Sequence, residues 1–574
     1  MANAGLDISD DDQFRLVWHK VVKRVLMFLF DVLPDHLVED YIGELTEPGH
    51  FGLHSKRDLT LSEQFIKEEL ARGHVESLSA MSSKYKYFNF IPDLKGRALV
   101  GSAAVTWETP CWKQVSASVS QVAGSWELQV HVSGAKKLVC SDFYFFATAN
   151  DFHLGLFPTP IGGTKKYSFT SRGLADSDVW DVQELGIRLF QFPESPLATV
   201  AAILETALLF TPELTKGVGP LAAARNLDFL QNYRGINMKK RQDSSDIILN
   251  ESFINSGDFF GVIRLDGLDP MLAFGMGSHT GHTTVALWED GELYVAESTV
   301  NSSYWPVNGI QRTPYRKWLE LAKAAGYSVV HAPLAPKYRD LFDEAGANAA
   351  FHRVEGTDYG YGAMLTGWVD TEAQNYPCIP PYDSSSGSKT CLTWSLLEVV
   401  FPLIAKYAPV AGNIFLPAWN EHVTGNPLAG LSPTELYQAA SKKGLKVSEI
   451  FSVVEKDASL YPNTFNNGSK GMTSPMVCDV FVCNMWKAGG LFKEISDDFN
   501  CVEQTNSDIY DLRILEAPPQ RPQVCVEKDP ENALCQLIGE YSLELPLLGT
   551  RPIYKHMSEH CPTEPPLYNR PQGC

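Results

Sequence analysis

The sequence predicts a multidomain protein of the α+β class. Its 574 residues exceed the roughly 100–200 residues of an ordinary single domain. Hydrophobic residues make up 44% of the chain and charged residues 20%, as in globular proteins with substantial cores. Some stretches carry apolar residues at helical spacing, whereas others consist of short alternating runs that are typical of antiparallel strands. We therefore expect helices and antiparallel sheets in separate parts of the chain.

These patterns divide the chain into five regions. Apolar residues near 14–26 follow helical spacing, and the runs at 126–133 and 137–146 alternate as strands do. Helical spacing returns after 198, and a mixed pattern follows. The predicted regions are a helical N-terminal region at 1–96, a β-rich domain at 97–197, a helical connector at 198–250, a mixed domain at 251–500 with a helical insertion at about 371–470, and a Cys-rich tail at 501–574.

Charge and hydropathy exclude several classes of function. The net charge of −20 repels phosphate backbones and anionic lipid, so no nucleic-acid partner is predicted. No apolar run reaches the ~20 residues that a membrane-spanning helix needs. The first residues are acidic and polar and lack the features of a secretory signal.

The cysteines are concentrated at the end of the chain. Five of the 11 fall in the tail, namely Cys501, Cys525, Cys535, Cys561 and Cys574. This density predicts a disulfide-bonded tail and favours an extracellular or secretory-lumen location, although the missing signal leaves a cytoplasmic location open. Cys111 and Cys140 are a possible pair inside the β-rich domain.

A β-hairpin is predicted at residues 281–299. Asp290-Gly291 separates two β-rich runs, and this dipeptide favours a type I′ turn, which needs positive φ at both central positions. The turn places Glu289 opposite Glu292 and sets the register of the whole hairpin.

This register brings a histidine and a carboxylate together. Thr284 then lies opposite Glu297, so His282 and Glu297 are diagonal neighbours on one face, within reach of long side chains. Glu297 could fix the imidazole tautomer and leave the other ring nitrogen to act as a base. A plain surface hairpin with a polar pair is the alternative. His279 and His282 lack further ligands at matching spacing, so no metal or other cofactor is predicted.

A second informative stretch contains Cys478. Pro475 and the Gly489-Gly490 pair bracket a run with apolar residues at helical spacing, which places Cys478 in the first helical turn. Free N–H groups there stabilise a thiolate and a developing oxyanion. Cys483 falls deeper in the helix and is expected to pack as a small hydrophobic residue. Cys391 also precedes an apolar run and is the competing nucleophile.

In combination, these stretches resemble circularly permuted enzymes of the NlpC/P60 papain-like superfamily (YiiX/YaeF-like amidases). The resemblance covers roughly residues 252–495 and rests on the order of the motifs. The matching segments are the Gly-Asp opening at 256–260, Gly281-His282 with the strand after it, the segment ending in Glu297, Gly309-Ile310, residues 314–318, the Gly-x-x-Tyr-like segment at 356–361, and Cys478-Asp-Val-Phe-Val with Lys-Ala-Gly at 487–489. Asp, Val and Phe stand where that family has Ser, Glu and Leu.

The resemblance implies a permuted papain-like catalytic domain and a thiol hydrolase. His282 would be the base, Glu297 its orienting group and Cys478 the nucleophile, with Tyr359 lining the site. The implied substrates contain an amide bond, peptide or N-acyl, or an ester bond. Two alternatives stay open: a thiol acyltransferase or thioesterase acting on lipid, and an inactive extracellular binding protein on the same scaffold.

Overall fold

A computed structural model describes residues 86–553, except 123, 211, 213–217, 301–304, 306, 361–377, 380–389, 392–393, 408–414, 452–459, 466–467, 475 and 494–498. Most of the predicted helical region at 1–96 lies outside the described residues, as do Cys561 and Cys574.

Strands and helices are both abundant, so the α+β prediction is confirmed at this level. The strands are β1 (Asp93–Ala98), β2 (Val105–Trp107), β3 (Trp112–Val122), β4 (Ser125–Ala135), β5 (Ser141–Ala147), β6 (Phe152–Pro158), β7 (Gly163–Thr170), β8 (Ile187–Gln191), β9 (Phe259–Arg264), β10 (His282–Glu289), β11 (Glu292–Thr299), β12 (Gly309–Pro314), β13 (Tyr327–Ala332), β14 (Cys378–Ile379), β15 (Thr390–Cys391), β16 (Tyr461–Thr464), β17 (Lys470–Thr473) and β18 (Cys535–Ile538).

The helices lie between and after the strands along the chain. They are α1 (Asp176–Trp180), α2 (Pro196–Leu209), α3 (Pro220–Phe229), α4 (Leu268–Gly275), α5 (Tyr315–Ala325), α6 (Pro336–Arg339), α7 (Glu344–Val354), α8 (Trp394–Tyr407), α9 (Leu416–Thr424), α10 (Pro433–Lys442), α11 (Val447–Phe451), α12 (Cys478–Ala488), α13 (Asn506–Asp511) and α14 (Gln523–Lys528). Short π-helical turns occupy Asp181–Leu185 and Leu230–Arg234, and 3₁₀ turns occupy Glu251–Phe253 and Cys501–Glu503.

The chain forms two compact units. The first comprises Met1–Thr206 and Thr390–Ile450, and the second comprises Ala207–Lys389 and Phe451–Cys574. Helices α8 to α10 therefore belong to the first unit, and they fall within the helical insertion predicted at about 371–470.

The first unit is built on two four-stranded antiparallel sheets. Their strand orders are β1-β8-β5-β6 and β2-β3-β4-β7. Trp126 from one sheet and Phe146 from the other belong to the same buried cluster, so the sheets pack face to face. The fully buried Arg188 of β8 donates two hydrogen bonds of 2.7 Å to Asp181 and lies 3.6 Å from Glu398 of α8.

The second unit is organised by a six-stranded antiparallel sheet. Its strand order is β12-β11-β10-β9-β13-β18. Alternate residues of β9 join two different buried clusters: Phe259 packs with residues of α12, and Phe260 packs with Trp318 of α5. The sheet is therefore covered on both faces, which explains why every residue of β9 is buried.

The hairpin formed by β10 and β11 confirms the predicted turn and register. Asp290 has φ of 51° and Gly291 has φ of 81°, as a type I′ turn requires. Glu289 pairs with Glu292, and the ladder continues without a shift to Val285 and Ala296. The register predicted from the Asp290-Gly291 turn is therefore the register observed between β10 and β11.

Three disulfide bonds occur among the described residues. Cys111 pairs with Cys140 in the first unit, Cys483 with Cys501 and Cys525 with Cys535 in the second. Cys483 is buried in the core, as expected, and it is also disulfide-bonded, because its position in α12 brings it against the 3₁₀ turn at Cys501–Glu503. Within the described residues, no helix is long and apolar enough to cross a membrane.

We predict that removing the Cys483–Cys501 bond destabilises the protein by about 2–4 kcal/mol, because the bond closes a loop with a sequence separation of 18 in the unfolded chain. The double variant Cys483→Ala/Cys501→Ala should show this loss in urea unfolding. Cys525→Ala/Cys535→Ala, with a separation of 10, is the matched control and should lose somewhat less. An unchanged unfolding midpoint in the first variant would contradict the prediction.

Candidate functional site

The centre of the candidate site is a buried imidazole–carboxylate pair. His282 is the first residue of β10, and its Nε2 lies 2.8 Å from Oε2 of Glu297 on β11. Glu297 is only 1% exposed and His282 8%. The hairpin register predicted that the two side chains share a face, and the structure brings them into direct contact.

A tryptophan holds the other oxygen of the carboxylate. Nε1 of Trp318, in α5, donates a hydrogen bond of 2.9 Å to Oε1 of Glu297. Trp318 is fully buried, so its indole N–H has a fixed direction. Both carboxylate oxygens are thus engaged, and rotation of Glu297 away from His282 would break two hydrogen bonds.

The thiol of Cys478 lies beside the imidazole and is carried by α12, the helix that packs on β10 and β11. Cys478 is the first residue of α12, as predicted, and is the one free cysteine in the part of the chain that the structure describes. Cys478 lies close enough to His282 for its thiol to raise the pKa of the imidazole. Because Glu297 engages Nε2, the ring nitrogen left for the sulfur is Nδ1. Cys478, His282 and Glu297 therefore lie next to one another.

The charge state of His282 follows from these neighbours. Burial lowers the pKa of the imidazole, but hydrogen bonds and charges from Cys478 and Glu297 outweigh burial and raise the pKa to about 10. An imidazolium flanked by two groups that can be anionic is the arrangement expected of a thiolate–imidazolium pair.

Asn506 also contacts the thiol, and sequence reasoning missed it. Its Nδ2 donates to the carbonyl of Thr280 at 3.2 Å, and its Oδ1 lies 3.6 Å from Sγ of Cys478. A carbonyl can only accept, so the amide orientation is fixed and Oδ1 must face the sulfur. Asn506 therefore accepts the hydrogen bond that the Cys478 thiol donates. The Thr-x-x-Asp capping box at 505–508 marks a helix start, but it does not reveal this contact.

Asp479 is a second residue that the sequence did not single out. Its fully buried carboxyl accepts hydrogen bonds from its own amide and from that of Val480, 2.8 Å away. Burial raises its pKa to about 7, which the two amides and the positive charge of His282 oppose. The carboxyl occupies two amides of the first helical turn, which leaves the amide of Cys478 as the candidate oxyanion donor there.

Tyr359 was predicted to line the site, and Cys391 and Cys483 are the other cysteines considered for the nucleophile. Tyr359 pairs through its backbone with Met476, and its ring belongs to the core around α12. Cys483 is disulfide-bonded, and Cys391 lies in the short strand β15.

Comparisons with protein-family models, curated proteins and solved structures returned no match to this chain.

We predict that Trp318→Phe loosens the pair without unfolding the protein. The ring is retained, but Glu297 loses one donor, so we expect the rate of Cys478 alkylation by iodoacetamide to fall about tenfold at neutral pH. Trp112→Phe is the matched control, because its buried indole donates to the carbonyl of Phe157 at 3.2 Å in the first unit. Equal rates in the two variants would show that Trp318 only packs.

We predict the opposite effect for Asn506→Ala. Removing the oxygen that accepts the thiol hydrogen bond should raise the rate of Cys478 alkylation by iodoacetamide at neutral pH, because the thiol proton is then no longer held away from His282. Asn484→Ala is a suitable control, since Asn484 also bonds a carbonyl within α12, that of Val480 at 2.9 Å. Slower alkylation of Asn506→Ala than of wild type would contradict the assigned hydrogen-bond direction.

Proposed function

We propose that the second unit is a thiol hydrolase that cleaves an amide bond, peptide or N-acyl, or an ester bond through an acyl-enzyme. The observation that carries this proposal is a reduced cysteine, at a helix start, beside an imidazole that a buried carboxylate already orients. Nucleophile, base and orienting group are the minimal set for this chemistry.

The mechanism follows from the hydrogen bonds. The Cys478 proton moves from Oδ1 of Asn506 to Nδ1 of His282, which forms the thiolate–imidazolium pair, and Glu297 stabilises the imidazolium through Nε2. The thiolate attacks the substrate carbonyl carbon, and the amide of Cys478 at the start of α12 stabilises the oxyanion. His282 then gives its proton to the leaving amine or alcohol. Finally, His282 activates a water molecule that hydrolyses the thioester and restores the thiol.

The likeness to permuted NlpC/P60 enzymes has two kinds of support. The chain order is histidine, glutamate, cysteine, as in the permuted branch. In addition, α12 packs across β10 and β11, so a helix that begins with the nucleophile lies against an antiparallel sheet that carries the base. We infer on these grounds that the second unit has a papain-like catalytic arrangement.

We also infer an oxidising compartment, either extracellular or in the secretory lumen. Three disulfides among the described residues support this location, because such bonds are rare in a reducing cytosol.

A small thiol-directed acyl probe tests the proposed function. The wild-type protein should be labelled at Cys478, as peptide mapping would show, and Cys478→Ala should not be labelled. Glu297→Gln should remain folded by circular dichroism but lose more than about tenfold in labelling and in hydrolysis of ester and N-acyl substrates, because the amide stabilises imidazolium poorly. Asp508→Asn, which affects the nearby cap of α13, is the control for a general structural effect.

The possible failures are distinguishable. Labelling at Cys391, or a fully active Glu297→Gln enzyme, would reject the residue assignment. Labelling of Cys478 without turnover of any ester, amide or N-acyl substrate would instead identify an inactive binding protein on this scaffold.

A further inference from the structure

The most exposed large hydrophobic side chains of the described residues lie close together. Val139 is 92% exposed, Leu138 84% and Ile161 76%, more than any other large aliphatic residue there. Leu138 and Val139 belong to the loop between β4 and β5, and Ile161 belongs to the loop between β6 and β7. Isolated exposed aliphatic residues are common, but three extreme cases in two loops are not explained by folding of this unit.

The two loops form one tip because their bases are joined. The amide of Thr159 donates to the carbonyl of Cys140 at 2.8 Å, immediately beside Val139. The disulfide between Cys111 and Cys140 and a hydrogen bond of 2.8 Å from the amide of Lys136 to the carbonyl of Cys111 hold the first loop to the start of β3. The exposed aliphatic side chains therefore project from loops that the disulfide and these hydrogen bonds hold in place.

The surroundings of this tip, defined as residues 136–140 and 159–163, are basic. Four lysines lie in or beside it: Lys113, Lys136, Lys137 and Lys165. The exposed carboxylate of Glu108 binds Lys136, and the carboxyl of Asp142 is buried at the base with its pKa raised by burial. The chain as a whole has 48 basic and 68 acidic residues, so the tip reverses the overall charge balance.

We propose that this tip docks on an anionic phospholipid membrane. Leu138, Val139 and Ile161 insert among the lipid headgroups, and the lysines contact the lipid phosphates. Aliphatic side chains that project beside lysines are suited to the interface of a membrane. The apolar acyl region there lies just below an anionic surface. A protruding apolar tip can be buried either in a lipid bilayer or in a preformed pocket of another protein. The surrounding lysines favour the bilayer, because they match a uniformly anionic surface.

The net charge of −20 repels anionic lipid, but this repulsion is weak at the tip at physiological salt. Charges are screened beyond about 8 Å at that ionic strength, so the lysines at the tip outweigh the distant acidic residues. The proposal does not depend on the thiol chemistry of the second unit.

Vesicle co-sedimentation of the full chain tests the proposal. Wild type should bind vesicles of mixed phosphatidylserine and phosphatidylcholine more tightly than vesicles of phosphatidylcholine alone. Leu138→Ser/Val139→Ser/Ile161→Ser should bind the mixed vesicles at least roughly tenfold more weakly. Lys113→Gln/Lys137→Gln should lose the preference for phosphatidylserine. Leu428→Ser, which changes a 64% exposed leucine of the same unit outside the tip, should bind as wild type does.

Three outcomes would overturn the proposal. Wild type could fail to bind either vesicle, or the triple variant could bind as tightly as wild type. If wild type instead self-associates in sedimentation velocity and the triple variant does not, the tip is a protein interface. Thermal unfolding and non-reducing peptide mapping of the Cys111–Cys140 bond confirm that each variant is folded.

Discussion

The carboxylate of Glu297 is the interaction on which the candidate site depends. A buried carboxylate is costly unless both its oxygens find donors, and here each oxygen has one N–H from a different element. One donor comes from the neighbouring strand and the other from the helix that covers the sheet. The hairpin, the helix α5 and the imidazole are therefore coupled, since displacement of any one leaves the buried charge without a partner.

Much of the site could be predicted because its determinants are local. The Asp290-Gly291 turn permits positive φ, and the turn alone sets which residues of the hairpin share a face. The start of α12 is likewise marked by Pro475 and its end by the glycines after Ala488. The pairing of Cys111 with Cys140 is also short-range, because both residues belong to the same small β domain. In each case the relevant information lies within a few residues or one domain.

The rest of the site depends on contacts between distant parts of the chain. Asn506 lies 28 positions from Cys478 and 226 from Thr280, and no sequence period connects them. Cys483 has the burial and spacing of a core residue, and its bond to Cys501 depends on how the chain turns after α12. The role of Trp318 as a donor to Glu297 requires knowing that α5 crosses that face of the sheet. Sequence patterns indicate which face of an element is buried, but they do not indicate which polar group lies across it.

The division of the chain between the two units constrains the order in which the protein can be assembled. The chain leaves the second unit before Thr390, supplies three helices to the first, and returns at Phe451. During synthesis the β-sheets of the first unit emerge early, yet the helix that brings Glu398 to the buried Arg188 arrives only after both halves of the hairpin have been made. The nucleophile is made later still. The first unit is therefore complete only once the chain has been made as far as Ile450, and the second only once the chain after Phe451 has followed.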